Sequence, residues 1–120
     1  MKLRKRILPA LLVLSLVTQI ASVSMAQEAI NTIEIHAHRF SFTPAEITLK
    51  KGETVKLRLI SDDVAHSLVV PALKINAPMV KSHPTEITVT PDSTGDFHGQ
   101  CGKFCGSGHG SMVFTIHVKE

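Results

Sequence analysis

The stretch Thr54–Ile60 reads TVKLRLI, and its side chains alternate between apolar and charged. Val55, Leu57 and Leu59 fall on one face, and the two cations between them fall on the other. A period of two is typical of a β-strand with one face in a core and the other in water. The turn-forming run Ser61-Asp62-Asp63 follows directly, so the strand is expected to end there.

The same alternation recurs in shorter runs on both sides of this stretch. These runs are Thr32–Phe40, Ile47–Leu49, Ser67–Val70, Thr85–Thr90 and Met112–Val118. No helical period of useful length appears after Gln27. The pattern predicts an all-β fold, a two-sheet antiparallel β-sandwich of about seven short strands around one core.

The first 26 residues have the three parts of a secretory signal peptide. Lys2–Arg6 is positively charged, Ile7–Ile20 is largely apolar, and Ser24-Met25-Ala26 has the small-x-small pattern of a cleavage site. We therefore expect residues 1–26 to be removed on export to the periplasm or an equivalent compartment. Residues 27–31 would then form a short N-terminal segment and residues 32–120 the folded domain. The alternative is an uncleaved chain anchored in the membrane by residues 7–26.

The basic character of the chain comes from the predicted leader. Residues 1–26 hold four of the 13 Lys and Arg and none of the 10 Asp and Glu, so the remainder carries nine cations against ten anions. The chain also lacks Trp and Tyr. A nearly neutral domain without such aromatic residues argues against nucleic acid as a partner. The remainder has no second apolar run long enough to span a membrane.

The chemistry is concentrated in Gln100–Met112, which reads QCGKFCGSGHGSM. It supplies Cys101, Cys105, His109 and Met112 within thirteen positions that also hold four glycines. Thiolate and thioether sulfur with imidazole selects copper over hard cations. In an exported chain the ordinary alternative is a disulfide between the two cysteines. The disulfide leaves the neighbouring His and Met unexplained.

A copper site with these ligands needs one more imidazole, and His66 is the natural candidate because it follows a turn and opens a strand. One copper does not need Cys101, whereas two coppers can share both thiolates as bridges. His66 and His109 would then be terminal ligands and Met112 a weak one. A carbonyl within the Cys-x3-Cys turn, that of Lys103, would serve the second copper.

Three segments together resemble a known family. Asp63-Val64-Ala65-His66-Ser67, Val70-Pro71-Ala72-Leu73 and Gly99–Met112 are similar to the binuclear copper A domain of cytochrome c oxidase subunit II and to its counterpart in nitrous oxide reductase. The resemblance implies a cupredoxin-like Greek-key β-sandwich. It implies two coppers held by His66, Cys101, Lys103, Cys105, His109 and Met112. It also implies electron transfer with a redox partner such as a cytochrome or an oxidase.

The chain departs from that family in three respects. Lys103 stands where the family usually has Glu, which reverses a charge beside the cluster and is expected to raise its reduction potential. The aromatic residues that accept electrons in oxidase subunits have no Trp or Tyr equivalent here, and the usual two-helix membrane hairpin is missing. We therefore expect a stand-alone exported electron carrier rather than an enzyme, with the role of an oxidase subunit left open.

Phe97, Phe104 and Phe114 are expected to pack and keep water from the site.

Two other functions remain open. The first is a module that stores copper or delivers it to an oxidase. The second is a mononuclear cupredoxin in which Cys101 is spare. A pair of histidines on one strand face, His36 and His38, is a weaker candidate for metal binding. We expect that face to be solvated.

Overall fold

The structure is a computed structural model that describes Ser22 and residues 29–120. The predicted signal peptide, apart from Ser22, lies outside the described residues. Nine strands follow one another along the described part of the chain. They are β1 (Asn31–His38), β2 (Ser41–Thr43), β3 (Glu46–Lys50), β4 (Val55–Ser61), β5 (His66–Val70), β6 (Ile75–Met79), β7 (Thr85–Val89), β8 (Gly95–Cys101) and β9 (Val113–Lys119).

The strands form two sheets. One has the order β2-β1-β4-β7 and the other the order β3-β9-β8-β5-β6. Most neighbouring strands run antiparallel, but β1 pairs with β4 and β3 pairs with β9 in parallel. The all-β class and the two-sheet arrangement are confirmed.

The core lies between the sheets and contains the apolar face of each alternating run. In β4, Val55, Leu57 and Leu59 are buried while the cations between them are partly exposed. Phe114 and Ile116 of β9 are buried in the same way, and the Phe114 ring packs edge-on against Phe42 with centroids 5.7 Å apart. Such pairs of aromatic rings stabilise a core beyond the area that they bury.

The end of the sandwich that matters for function is built by β5, β8 and β9. β8 ends at Cys101 and β9 begins at Val113, so the loop between them leaves and re-enters the same sheet. The backbone amide of Cys101 donates to the carbonyl of Met112 at 3.1 Å, which closes the base of this loop. The loop contains one short 3-10 turn, His109–Ser111.

Candidate metal centre

The pairing of β5 with β8 brings His66 to the loop. Leu68 lies opposite Cys101 in this antiparallel pair, and His66 is two residues before Leu68 on the same face of β5. Residues two apart on a strand point the same way, so the His66 ring is directed toward the cysteine. Its Nδ1 lies 3.9 Å from the Sγ of Cys101.

The loop brings its other donors to the same place. The Sγ of Cys105 lies 3.7 Å from the Nδ1 of His109 and 3.4 Å from the Sδ of Met112. The side-chain donor atoms of His66, Cys101 and Cys105 all lie within 4.8 Å of one another. Sulfur and nitrogen donors from two distant segments therefore converge on one small volume.

Lys103 contributes through its backbone. The Cys101 thiol donates a hydrogen bond to the Lys103 carbonyl at 3.1 Å, so this oxygen faces the cluster. The residue as a whole is exposed. The structure thus brings all six residues that were predicted from the sequence, five by side chain and Lys103 by its carbonyl, to one end of the sandwich.

The cluster is shielded from water on most sides. His66 is 1% exposed, Cys101 2%, Cys105 6% and Met112 0%, while His109 is half-buried. Both cysteines are free thiols. Burial and the neighbouring Cys101 raise the pKa of the Cys105 thiol, so that thiol carries a proton at neutral pH until a metal displaces it.

Asp63 orients the His66 ring, a role that the sequence analysis did not assign. The Nε2 of His66 donates to Oδ1 of Asp63 at 2.7 Å. Burial desolvates the Asp63 carboxylate, which alone would raise its pKa. Hydrogen bonds from two backbone amides and the His66 ring outweigh burial and lower the pKa to about 2. Because an ionised carboxylate only accepts hydrogen bonds, the Nε2 of His66 carries the proton of this hydrogen bond, and Nδ1 is the ring nitrogen that faces Cys101.

This arrangement fits copper. Two thiols, a thioether and two imidazole nitrogens form a soft donor set, and soft donors favour copper over calcium or magnesium. A histidine whose far nitrogen donates to a carboxylate is the usual partner arrangement of a metal-binding imidazole. In the described part of the chain, every buried side-chain nitrogen and oxygen has a hydrogen-bond partner.

One prediction about the loop is wrong. Phe104 does not pack over the site: its side chain is 76% exposed, and the His109 ring lies beside it with centroids 5.7 Å apart. Phe104 is in the middle of a short Gly-rich loop that has no strand partner to cover it. Phe97 is partly buried and Phe114 is in the core, as expected.

His36 and His38 lie in solvated hydrogen-bond networks. His36 contacts Asp62 at 2.7 Å and Glu34 at 2.6 Å, and His38 contacts the Ser41 hydroxyl. Among residues 29–120 and Ser22, the cluster of three His, Cys, Asp or Glu donors is His66, Cys101 and Cys105, and it includes neither of these two histidines. This arrangement agrees with the expectation that the strand face with His36 and His38 is solvated.

A family model described as "Cytochrome C oxidase subunit II, periplasmic domain" matches residues 16–119. The chain belongs to this family. It is 37% identical over 70 residues to a probable cytochrome c oxidase subunit 2 of Streptomyces avermitilis, covering 58% of this chain and 22% of that protein. The chain thus spans about a fifth of the length of this relative.

Solved structures show the same fold. The periplasmic domain of cytochrome oxidase subunit II of Bradyrhizobium japonicum superposes with a TM-score of 0.71 at 20% identity, over 80% of this chain and 88% of that one. Auracyanin A, a "blue" copper protein of Chloroflexus aurantiacus, superposes with a TM-score of 0.61 at 18% identity, over 76% and 100% of the two chains. The cupredoxin-like fold and the family resemblance are confirmed, and copper is the metal of this family.

None of the helices in the described residues has the length and apolarity needed to cross a bilayer.

Proposed function

We propose that this member of the oxidase subunit II family is an electron-transfer domain that holds two coppers in one buried cluster. The observation that carries the proposal is the convergence of two cysteine sulfurs on one point, each beside a different histidine. The Sγ of Cys101 faces His66 and the Sγ of Cys105 faces His109. A single copper would leave one of the two thiols unused, whereas two coppers have a use for both.

Each of the six residues has a role in this proposal. Cys101 and Cys105 would supply a thiolate each to the two metals, and His66 and His109 would supply one imidazole each. Met112 and the Lys103 carbonyl are the weak ligands; the first is 3.4 Å from Cys105 and the second 3.1 Å from Cys101.

Bound copper supplies a one-electron redox couple. The chain itself excludes water through the burial of His66, Cys101 and Met112, and it holds the His66 ring in one orientation through Asp63. The thiol protons of Cys101 and Cys105 leave when metal binds, because the thiolate is the ligand form. A donor set that is already assembled needs little rearrangement, which favours fast electron transfer.

We further propose that the domain works outside the cytoplasm with a redox partner protein such as a cytochrome or an oxidase. The matching family is that of a periplasmic domain, and residues 1–26 have the pattern of a signal peptide. The exposed Phe104 ring beside His109 offers an apolar contact close to the cluster.

The test is to measure copper per chain together with the electron paramagnetic resonance spectrum, using protein expressed without residues 1–26. Two coppers per chain and one unpaired electron shared equally by two copper nuclei support the proposal. A spectrum of one isolated copper rejects the binuclear form.

A mononuclear site without Cys101 is the second candidate, because the Sγ of Cys105 lies 3.7 Å from the Nδ1 of His109, 3.4 Å from the Sδ of Met112 and within 4.8 Å of a ring nitrogen of His66. Cys101→Ser distinguishes the two. A binuclear centre loses copper and colour, whereas a mononuclear site centred on Cys105 keeps both almost unchanged.

Copper storage or delivery is a third function, favoured by the exposure of the loop at Ser107 and Gly110. Copper transfer to a metal-free acceptor that is faster than electron exchange with a redox partner supports delivery. Tightly held copper that cycles reversibly between oxidation states supports electron transfer.

A further inference from the structure

The turn between β1 and β2 lies against both segments that carry the candidate ligands. The backbone amide of Arg39 donates to Oδ2 of Asp63 at 2.8 Å, and the Nε of its side chain donates to the Cys105 carbonyl at 2.9 Å. One residue, 66 positions before Cys105, therefore makes hydrogen bonds to the turn that precedes β5 and to the loop that follows β8.

The contact with Asp63 continues to a ligand. Oδ1 of the same carboxylate accepts from the Nε2 of His66 at 2.7 Å and from the Val64 amide at 2.6 Å. Arg39 is thus linked to His66 through one carboxylate and to Cys105 through one carbonyl.

The next residue, Phe40, packs against the same loop at Gly106 and Gly108. A Cβ built on Gly108 would lie 2.4 Å from the Phe40 ring, and one on Gly106 would lie 2.9 Å from it. The loop backbone therefore lies directly on the ring, and Arg39 holds that backbone from the side.

We propose that Arg39 is a positioning residue that joins the His66 segment to the Cys105 loop and thereby controls how firmly copper is held and at what potential it is reduced. The proposal deepens the proposed function and rests on it for the two readouts that need copper. The guanidinium is charged at all accessible pH values. A fixed positive charge beside the cluster favours its reduced form, which carries less positive charge, and so raises the reduction potential.

The competing explanation is that Arg39 only stabilises the domain. The residue is exposed, so removing its charge leaves the core intact, and a purely structural role predicts a change in unfolding alone. Readouts at the loop and at the metal separate the two explanations.

The experiment compares Arg39→Gln and Arg39→Lys with Arg58→Gln. Arg58 is a matched control because it is also a partly exposed arginine with two carboxylate partners, Glu34 at 3.2 Å and Glu86 at 3.5 Å, outside the cluster. In metal-free protein, amide hydrogen exchange is measured by nuclear magnetic resonance for residues 102–111 and for β4. In copper-loaded protein, copper loss to a chelator and the reduction potential are measured.

We expect Arg39→Gln to speed exchange in residues 102–111 but not in β4. It should also speed copper loss about five- to tenfold, the equivalent of one hydrogen bond, and lower the potential. Arg39→Lys keeps the charge and should restore the potential, but only part of the copper retention, since its ammonium lacks Nε. Arg58→Gln should change none of these readouts.

Unchanged loop exchange and copper loss in Arg39→Gln would overturn the proposal, as would a potential for Arg39→Lys equal to that of Arg39→Gln. If the unaltered chain binds no copper, the proposed function fails. The loop exchange in metal-free protein still decides whether Arg39 joins the two segments.

Discussion

The Nδ1 of His66 lies 3.9 Å from the Sγ of Cys101, although 35 residues separate them in the chain. The pairing of β5 with β8 creates this contact, because it sets Leu68 opposite Cys101 and so directs His66 to the end of the same sheet. A ligand from a rigid strand meets ligands from a loop whose base is closed by a backbone hydrogen bond. Strand pairing and the closed base of the loop thus position the ligands, and such positioning favours low rearrangement on electron transfer.

A side chain at position 108 is predicted to be destabilising for steric reasons. The φ of −91° and ψ of 8° of Gly108 suit any residue, so an alanine there meets no backbone penalty. The added Cβ would lie 2.4 Å from the Phe40 ring and force the loop away from it. Gly108→Ala should lower the free energy of unfolding by about 1–3 kcal/mol and speed copper loss.

Gly110→Ala is the matched control for that substitution. Gly110 is in the same 3-10 turn, and a Cβ built on it meets nothing within 4 Å. Its unfolding free energy should stay within about 0.5 kcal/mol of the unaltered chain. Equal urea midpoints for the two variants would show that the Phe40 contact does not constrain the loop.

Asp63→Asn should destabilise the metal-free domain. The Asp63 carboxylate accepts hydrogen bonds from two backbone amides and from His66, and an asparagine would turn an NH2 group toward at least one of these donors. We expect a loss of about 1–3 kcal/mol in urea unfolding. The neighbouring Asp62→Asn serves as a control, since Asp62 is exposed and surface pairs contribute less than about 1 kcal/mol. A loss no greater than that of Asp62→Asn would contradict the assigned role.

His117, on the outer face of β9, should make stability depend on pH. Its ring lies 2.6 Å from a carboxylate oxygen of Asp96 and 3.5 Å from one of Glu46, and the hydrogen bond to Asp96 raises the pKa of His117 above 6.5. The same hydrogen bond lowers the pKa of Asp96, which also faces His98 and Lys119. A raised histidine pKa contributes stability that is complete below pH 6.5 and is lost as the pH rises through the higher folded value.

His117→Gln isolates that contribution. Urea midpoints of the unaltered chain should fall more steeply than those of His117→Gln as the pH rises from about 6 to 8. Parallel pH profiles for the two proteins would show that the His117 contact has no energetic role. The comparison between variants removes the effect of His36, whose pKa is raised by Asp62 and Glu34 in the same direction.

Phe104→Ser should slow electron exchange with a partner protein and leave the domain otherwise unchanged. The ring is 76% exposed, so its removal costs the fold little, whereas an exposed aromatic beside the cluster is suited to an interface. We expect the bimolecular rate with a soluble c-type cytochrome, measured by stopped flow, to fall about fivefold or more. Ile30→Ser, which removes a 50% exposed apolar side chain before the start of β1, should leave the rate unchanged. Equal rates for both variants would remove Phe104 from the interface.

The strands that the sequence predicts are those whose apolar residues alternate. Three others escaped prediction for separate physical reasons. β2 is only three residues long, and β6 contains Pro78, which is tolerated because β6 lies at the edge of its sheet. β8 contains Gly95 and Gly99, and its strand conformation depends on pairing with β5 and β9 rather than on an alternating apolar sequence.

In the site, the sequence identifies donor atoms by their chemistry but not the residues that position them. Asp63 precedes His66 by three residues in a turn, and a carboxylate at that spacing was the available signal. Arg39 gave none, because it acts through the Cys105 carbonyl and its own backbone amide. The exposure of Phe104 was also hidden, since residue type alone predicts burial for an aromatic side chain.

X-ray absorption at the copper edge of the loaded mature protein tests the central claim most directly. The account predicts that each copper has sulfur and nitrogen neighbours and a second copper close by, and that this copper neighbour disappears in Cys101→Ser. Copper with one sulfur neighbour and no second copper, unchanged by Cys101→Ser, would contradict it.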